Sequence, residues 1–437
     1  MEDLISSRRE DTKILASWVT LEVSPTRPVA LGCPQGTPSA WSVNDAIEIN
    51  AVALWGQGPQ VVLVSVDTLY VGSWLEELIV SALSPVPREN ILIGASHTHS
   101  APMTDHSKPE LGVPDEEHLS SLVAPVQTSM AELLDPKNCQ FVTTTVCFGH
   151  AKHSISRRLK ASRQELAAGS ETVVMRPDWR GTTNEQVLML ELRDLEGTVR
   201  AAVWNYACHP VGFPLGDTVS AHFPGAVRSA LRTKWGAGTP IVYFQGFSGD
   251  TRPRSLAVLN TPRRILGRFL RLQRRRPPTW QHITLQQYDD WLESFVATVL
   301  RISERPKVVE VTSALASRTV IHGEQFVSPP QNVSFQAIKL GKSLAIVAAS
   351  AELVAEYAVP VRRMTRSALG SRWVMLVGCI DTPFGYAPTR AMLREGGYEV
   401  SGFLEPFGLD RVNPRIEESL LSGFSEVLAS LGDRTDV

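Results

Sequence analysis

The segment "SHTHSAP", Ser96 to Pro102, places two imidazoles two residues apart, directly after the apolar run "NILI", Asn90 to Ile93. In an extended segment residues i and i+2 face the same side. One metal ion could then take both His97 and His99, or one could ligate while the other holds a water or a substrate. The plainer alternative is a hydrogen-bonded pair at the end of a strand. His209 in "NYACHP" ends another apolar run and reads either as a third imidazole ligand or as a structural histidine before proline. Glu352 follows "LAIVAAS". It is either a carboxylate ligand or an acidic residue favoured at a helix N-terminus by the dipole. Glu356, one turn later, could do either job, and Tyr386 in "FGYAPT" is either core packing or an uncommon phenol ligand. Two imidazoles and a carboxylate, with a water position left open, form a pattern of catalytic zinc. Such a zinc brings the pKa of its water to about 7 and polarises a carbonyl.

A second chemical stretch is "QGFSGDTRPR", which offers Ser248, Asp250, Thr251 and Arg252. A nucleophile elbow needs glycine two residues to either side of the serine. Here those positions are Gly246 and Asp250, so the α/β-hydrolase reading is rejected,. The loop still supplies backbone N–H groups and an arginine, suited to an oxyanion or a carboxylate. Downstream, "RRILGRFLRLQRRR" (Arg263 to Arg276) is basic and amphipathic, and Arg252 to Arg276 contains nine arginines and no acids. It reads either as a membrane-surface or acidic-partner helix or as a surface helix with snorkelling arginines.

These residues must be positioned by strands and helices, and the sequence carries both. "VVLVSVD" and "NILIGAS" read as strands around a helix in "TLYVGSWLEELIVSAL". "DEEHLSSLVAPVQTSMAELL" reads as a helix with an acidic cap,. "NEQVLMLELRDLEGTVRAAVWNYACHP" reads as a hairpin around "DLEG", and "TPIVYFQGFSGD" as a strand running into a loop. "FQAIKLGKSLAIVAAS" reads as a strand pair followed by a helix from about Glu352. "WVMLVGCIDTPFGYAP" is a last strand, and a helix over about 414–431 ends the chain. The order predicts an α/β protein of mixed sheets flanked by helices. The polar stretches all follow apolar runs, where open sheets place their sites.

The 437 residues carry Lys+Arg 43 against Asp+Glu 45, so no global charge draws the chain to nucleic acid or membrane,. The N-terminus lacks the apolar core of a signal peptide, and no run approaches the ~20 apolar residues of a membrane span. Cys33, Cys139, Cys147, Cys208 and Cys379 are odd in number and scattered, which suits reduced thiols in a cytoplasmic protein,. Residues 1–18 are expected to form an N-terminal arm and 19–437 one catalytic domain, with 252–278 as a basic, arginine-rich insertion.

The ordered set "SHTHSAP", "SISRRL", "NYACHPVGF", "SGDTRPR", "SAELVAEYA" and "GYAPTRAMLREGGYEV" resembles the catalytic domain of the neutral/alkaline, non-lysosomal ceramidases and their bacterial relatives, from about Val19 to Leu431. The family are zinc amidohydrolases that split ceramide into fatty acid and sphingosine. The resemblance implies one Zn²⁺ per chain, with His97, His209, Glu352 and Tyr386 as ligands. It implies His99 beside the metal, contacting water or substrate, Tyr398 supporting the oxyanion and Arg157 lining the site. Two departures stand out. The family's Gly-Asp-x-Ser-Pro serine is here Arg252, and the asparagine after its proline is Arg254. The secreted members' signal peptide and C-terminal immunoglobulin-like domain have no counterpart in this sequence.

The reading is therefore a zinc-dependent hydrolase of an N-acyl bond in a small acylated, acidic molecule, with Arg252, Ser248 and Asp250 toward the substrate. The same donors would serve acyl transfer, or an ester or lactone, and the donor set also admits iron or manganese. A non-catalytic lipid- or protein-binding relative, acting through Arg263–Arg276, is the alternative of another class.

Overall fold

Strands rich in β-branched residues and helices with one apolar face assemble into four layers. The computed structural model describes residues 13–32, 39–40, 42–55, 61–167, 172–256 and 279–432. In chain order the first half comprises β1 (Ile14–Glu22), β2 (Glu48–Trp55), β3 (Val61–Val66), α1 (Gly72–Ala82), β4 (Ile91–Ala95) and α2 (Glu116–Leu134). Then come β5 (Gln140–His150), β6 (Ser154–Lys160), β7 (Val173–Asp178), β8 (Gln186–Arg193), β9 (Val199–Tyr206), α3 (His222–Trp235), β10 (Ile241–Gln245) and β11 (Thr251–Pro253). The second half comprises α4 (Leu285–Ser303), β12 (Lys307–Val308), β13 (Ala314–Ile321), β14 (Val333–Leu340), β15 (Leu344–Ala349) and β16 (Glu352–Leu353). It ends with α5 (Ala358–Leu369), β17 (Trp373–Val377), β18 (Tyr386–Ala387) and α6 (Ile416–Gly432).

The large sheet runs β10-β9-β8-β5-β1-β2-β3-β4, with β12 paired to β5. Its β9/β10 and β3/β4 pairs are parallel. The smaller sheet runs β13-β14-β15-β17, parallel only between β15 and β17. Period-two alternation sends Leu63, Leu190 and Val203 of the large sheet inward against Ile338, Ile346 and Met375 of the small one,. The opposite face of the large sheet packs on α1 and α2 through Leu75, Ile79 and Met130. Farther along that face, α3 and α4 pack through Phe223, Val227 and Phe295. The outer face of the small sheet takes α5 and α6 through Val361, Leu420 and Phe424. The expected mixed sheets flanked by helices are what the chain forms. Among the described residues no helix is long and apolar enough to cross a membrane.

Local signals act as read at several places. Asp115 caps α2 by accepting from the His118 N–H at 2.9 Å, which stabilises such a helix by about 1 kcal/mol. The hairpin around "DLEG" is β8–β9. Three expectations shift. Ile14 to Trp18 already belong to β1, paired with β2, because their apolar residues alternate into the core. The arm thus stops short of residue 18, and residues 1–12 lie outside the described residues. The helix read from "TLYVGSWLEELIVSAL" begins only at Gly72, leaving Thr68 to Val71 as a buried loop. The helix expected from Glu352 begins at Ala358. The segment Arg263–Arg276 lies outside the described residues, as does most of the expected basic insertion.

Candidate metal centre and cavity

Both sheets end on the same side of the molecule, and backbone hydrogen bonds stitch those ends together. Gly378 N–H donates to Gln245 O at 2.9 Å, Asp381 N–H to Ile93 O at 3.1 Å, and Gly249 N–H to Leu353 O at 2.8 Å. Gly249 is glycine for a steric reason: a Cβ there would stand 2.6 Å from the Glu352 carbonyl oxygen. The ends that meet are those of the parallel pairs. His97 follows β4, His209 follows β9, Glu352 opens β16 after β15, and Tyr386 opens β18 after β17. Glu352 and Tyr386 are register partners in the parallel β16/β18 pair. Glu352 is therefore held by a strand pair, and the helix-dipole explanation of this residue falls.

His97 does not lie in extended backbone. Its φ is 65°, a left-handed conformation that costs an L-residue about 1–2 kcal/mol. The i, i+2 extended geometry read from the sequence is thus replaced by a sharp turn. The turn still brings His97 and His99 together, with ring centroids 5.1 Å apart.

His97 Nε2 lies 3.2 Å from Glu352 Oε2, and His209 Nε2 lies 3.0 Å from the same oxygen. Tyr386 Oη lies 3.3 Å from His209 Nε2. Ligands about 2.0–2.1 Å from a tetrahedral zinc stand about 3.3 Å from one another, and these three separations match that spacing. The Nε2 atoms of His97 and His99 are buried and make no hydrogen bond among the described residues. His97, His99 and His209 offer ring nitrogens within 4.8 Å of one another, so His99 stands beside the same point as a third imidazole.

The far sides of the ligands are fixed. His97 Nδ1–H donates to Leu69 O at 3.0 Å, and His209 Nδ1–H to Ser248 O at 2.8 Å. Tyr70 Oη donates to Glu352 Oε1. These bonds occupy each Nδ1 and turn Nε2 toward the centre; burial opposes protonation of His97, but Cys379 and Glu352 outweigh it and hold the ring above the usual imidazole range. Burial, with help from Arg157 and His97, pushes His209 down to about 4 against the pull of Glu352. The ring is neutral at pH 7, as a ligand must be. Burial also holds His99 well below the usual imidazole range, with His97 and His209 adding to the effect. Burial opposes ionisation of Glu352, but His97 and His209 outweigh it and hold the carboxyl well below its ordinary value. Burial and Glu352 hold the Tyr386 phenol above its ordinary range, while Arg157 pulls the other way.

A cavity of about 510 Å³ opens on this centre. His99, His209, Tyr386, Tyr398, Arg157 and Arg252 line its polar part, and Leu31, Met175, Val211, Phe213 and Pro406 its apolar part. The Arg157 guanidinium lies over the rings of both Tyr386 and Tyr398, 5.2 Å from each centroid. Its Nε donates to Glu399 Oε1 at 2.7 Å, and Arg158 Nη1 donates to Glu399 Oε2 at 2.5 Å. A larger groove of about 710 Å³, between Arg394, Leu404, Arg411 and Arg415, has no imidazole or thiol in its lining.

All four proposed ligands, together with His99, Tyr398, Arg157 and Arg252, are thus brought to one place. Ser248 and Asp250 are not in the cavity lining. The Ser248 carbonyl orients His209, and its hydroxyl accepts from Gln245 Nε2. Asp250 Oδ1 accepts from Ala355 N–H at 2.8 Å. Both hold the loop through these bonds. Glu356 stands away from the cluster, near Thr182 and Asp250.

Sequence reasoning missed Tyr70, Glu399 and His222. Tyr70 was assigned to a helix and Glu399 sits unremarked beside Tyr398 in "GGYEV". His222 lines the cavity with its Nε2 2.9 Å from Ser100 Oγ. Only the tyrosine–glutamate adjacency carried any signal.

The fold is that of the neutral ceramidases. The neutral ceramidase from Pseudomonas aeruginosa superposes with a TM-score of 0.71 over 97% of this chain and 75% of that one, at 13% sequence identity. A structure described as a ceramidase complexed with C2 gives a TM-score of 0.69 over 97% and 76%, again at 13% identity. No protein-family model and no curated protein sequence matches the chain.

Proposed function

We propose that this chain is a zinc-dependent amide hydrolase that cleaves the N-acyl bond of a small acylated molecule. The observation that carries the reading is the convergence of His97 Nε2, His209 Nε2, Glu352 Oε2 and Tyr386 Oη at neighbour distances of 3.0–3.3 Å. These four residues would hold the ion. When bound there, zinc supplies Lewis acidity toward the acyl carbonyl and lowers the pKa of water.

The other residues divide the remaining work. His99 is neutral and has a bare Nε2. It takes a proton from the attacking water and returns one to the leaving nitrogen. Tyr398 and Arg157 line the same cavity and would face the negative charge that builds on the carbonyl oxygen, where fixed donors are worth most in a site closed to bulk water. Overall the C–N bond breaks, the water oxygen joins the acyl carbon, and a proton reaches the amine. The products are a carboxylate and an amine. The ceramidase fold supports amide chemistry in general, and the apolar wall of the cavity suits an acyl chain. An ester asks for the same donors, so the substrate screen pairs each amide with its ester.

The test is elemental analysis and N-acyl amide hydrolysis, with wild type beside His97→Ala. About one zinc per chain, lost in the variant together with turnover, is the expected result. Full activity in His97→Ala would refute the mechanism.

A further inference from the structure

Arg252 and Arg362 both bury an Nε without an acceptor among the described residues, but Arg362 donates to Asn184 Oδ1 at 3.3 Å and, of the two, Arg252 lines the cavity. Arg157 and Arg158 pair with Glu399, Arg228 with Asp67, and Arg318 with Asp381. Arg252 is partly buried, and among the described residues it has no carboxylate within ion-pair distance. Its Nε is buried without an acceptor. A desolvated guanidinium left unpaired is costly, so its retention at a cavity wall points to an anion delivered from outside.

The side chain is also held in place. Its guanidinium stacks over the Trp280 ring, 4.9 Å from the centroid, and Trp280 Nε1 donates to Pro253 O at 2.9 Å. The indole is thereby fastened to β11, the strand that carries Arg252. That strand pairs with β6, the strand of Arg157, in the register Arg252 to Ile155. No carboxylate is among the residues lining the cavity, while Arg157 and Arg252 both line it. Stacking on an aromatic face orients a guanidinium and leaves its fork of N–H donors free for a planar anion. Leu31, Met175, Val211 and Phe213 give the lining an apolar part.

We propose that Arg252 selects the substrate by pairing with a carboxylate on the part of the molecule that does not react, so that the cavity takes N-acyl amino acids in preference to neutral amides. This deepens the amide-hydrolase reading and rests on it for the reaction, but not for the anion site.

The probes are N-octanoylglycine and its neutral twin N-octanoylglycinamide, which differ in the charge of one group. The wild-type kcat/KM ratio of acid to amide is expected to be about 10 to 100, falling to about 1 in Arg252→Gln. The ratio within one variant does not depend on how much of the protein is folded. Arg252→Glu should invert the preference, favouring N-octanoyl-ethylenediamine, whose free amine is protonated. Binding is read separately by calorimetry with N-(octylsulfonyl)glycine and its carboxamide, in which a sulfonamide replaces the scissile N-acyl bond. Equal hydrolysis of acid and amide by wild type and Arg252→Gln overturns the inference and leaves the hydrolase reading standing. If neither probe is hydrolysed, yet the sulfonyl acid binds about 10-fold more tightly than its amide only when Arg252 is present, the anion site stands and the hydrolase reading fails.

Discussion

Glu399 offers a quantitative test of how this cavity wall is built. It is 1% exposed, and it accepts from two arginines that are themselves 5% and 7% exposed. Burial opposes its ionisation, but Arg157 and then Arg158 outweigh that and hold the carboxyl below the usual carboxylate range. Glu399→Gln keeps an oxygen acceptor and removes the charge that both guanidiniums share. Breaking a buried pair by removing one partner costs about 3–5 kcal/mol. Unfolding entropy near ~2.1 cal/mol/K per residue, over 437 residues, gives about 0.9 kcal/mol per kelvin,. The melting temperature should therefore fall by about 3–5 °C. Arg158 retains Glu395 at 3.5 Å and the Gly396 carbonyl, so most of the loss falls on Arg157 and thus on the Tyr386/Tyr398 wall.

The assay is differential scanning calorimetry of wild type, Glu399→Gln, Arg157→Met and the double variant. The double variant should lose less than the sum, because one of the two stranded cations is gone. The pH dependence has a definite sign. A depressed folded pKa gives stability that is present above the unfolded value of about 4.3 and is lost as pH falls through the folded value. The gap between wild type and Glu399→Gln should accordingly close on acidification below that range. A melting shift under about 1 °C with additive single variants would show that the Glu399 pairs contribute nothing, and would refute the reasoning.

Tyr70→Phe removes only the hydroxyl that donates to Glu352 Oε1. Loss of such an outer partner weakens metal binding about 10- to 100-fold, which competition against a chelator will measure. Unchanged affinity would show that Glu352 needs no support from Tyr70. Asp250 is pushed up to about 8 by burial, then by Glu356, and its Oδ2 has no partner among the described residues. A raised folded pKa gives stability that is complete below the unfolded value of about 3.9 and drains away as pH rises toward the folded one. Asp250→Asn keeps the acceptor for Ala355 N–H and does not ionise. Its melting temperature relative to wild type should climb by about 5 °C between pH 4 and pH 8. A pH-independent difference would place the charge of Asp250 elsewhere.

The sequence by itself determined the layers and the donors. Period-two runs such as "VVLVSV" and capped helical stretches such as "DEEHLSSLVAPVQTSMAELL" carry their partners' geometry in their own spacing, because burial of one face is a local pattern. The donor residues were legible because each follows an apolar run, where a strand must end. The geometry that joins them was decided by the tertiary structure. The left-handed turn at His97 breaks the extended spacing that the sequence suggested, and the β16/β18 pairing holds Glu352 where a helix start was expected. Tyr70 and Glu399 gave almost no signal, since their partners lie 282 and more than 240 residues away in sequence. Ser248 and Asp250 looked like substrate contacts because they sit in a loop at a strand end, yet that loop folds inward to orient His209 and to bind Ala355. Spacing along the chain reports which residues share a face. Which faces meet, and which carboxylate stands beside which cation, depends on long-range contacts that no local pattern encodes.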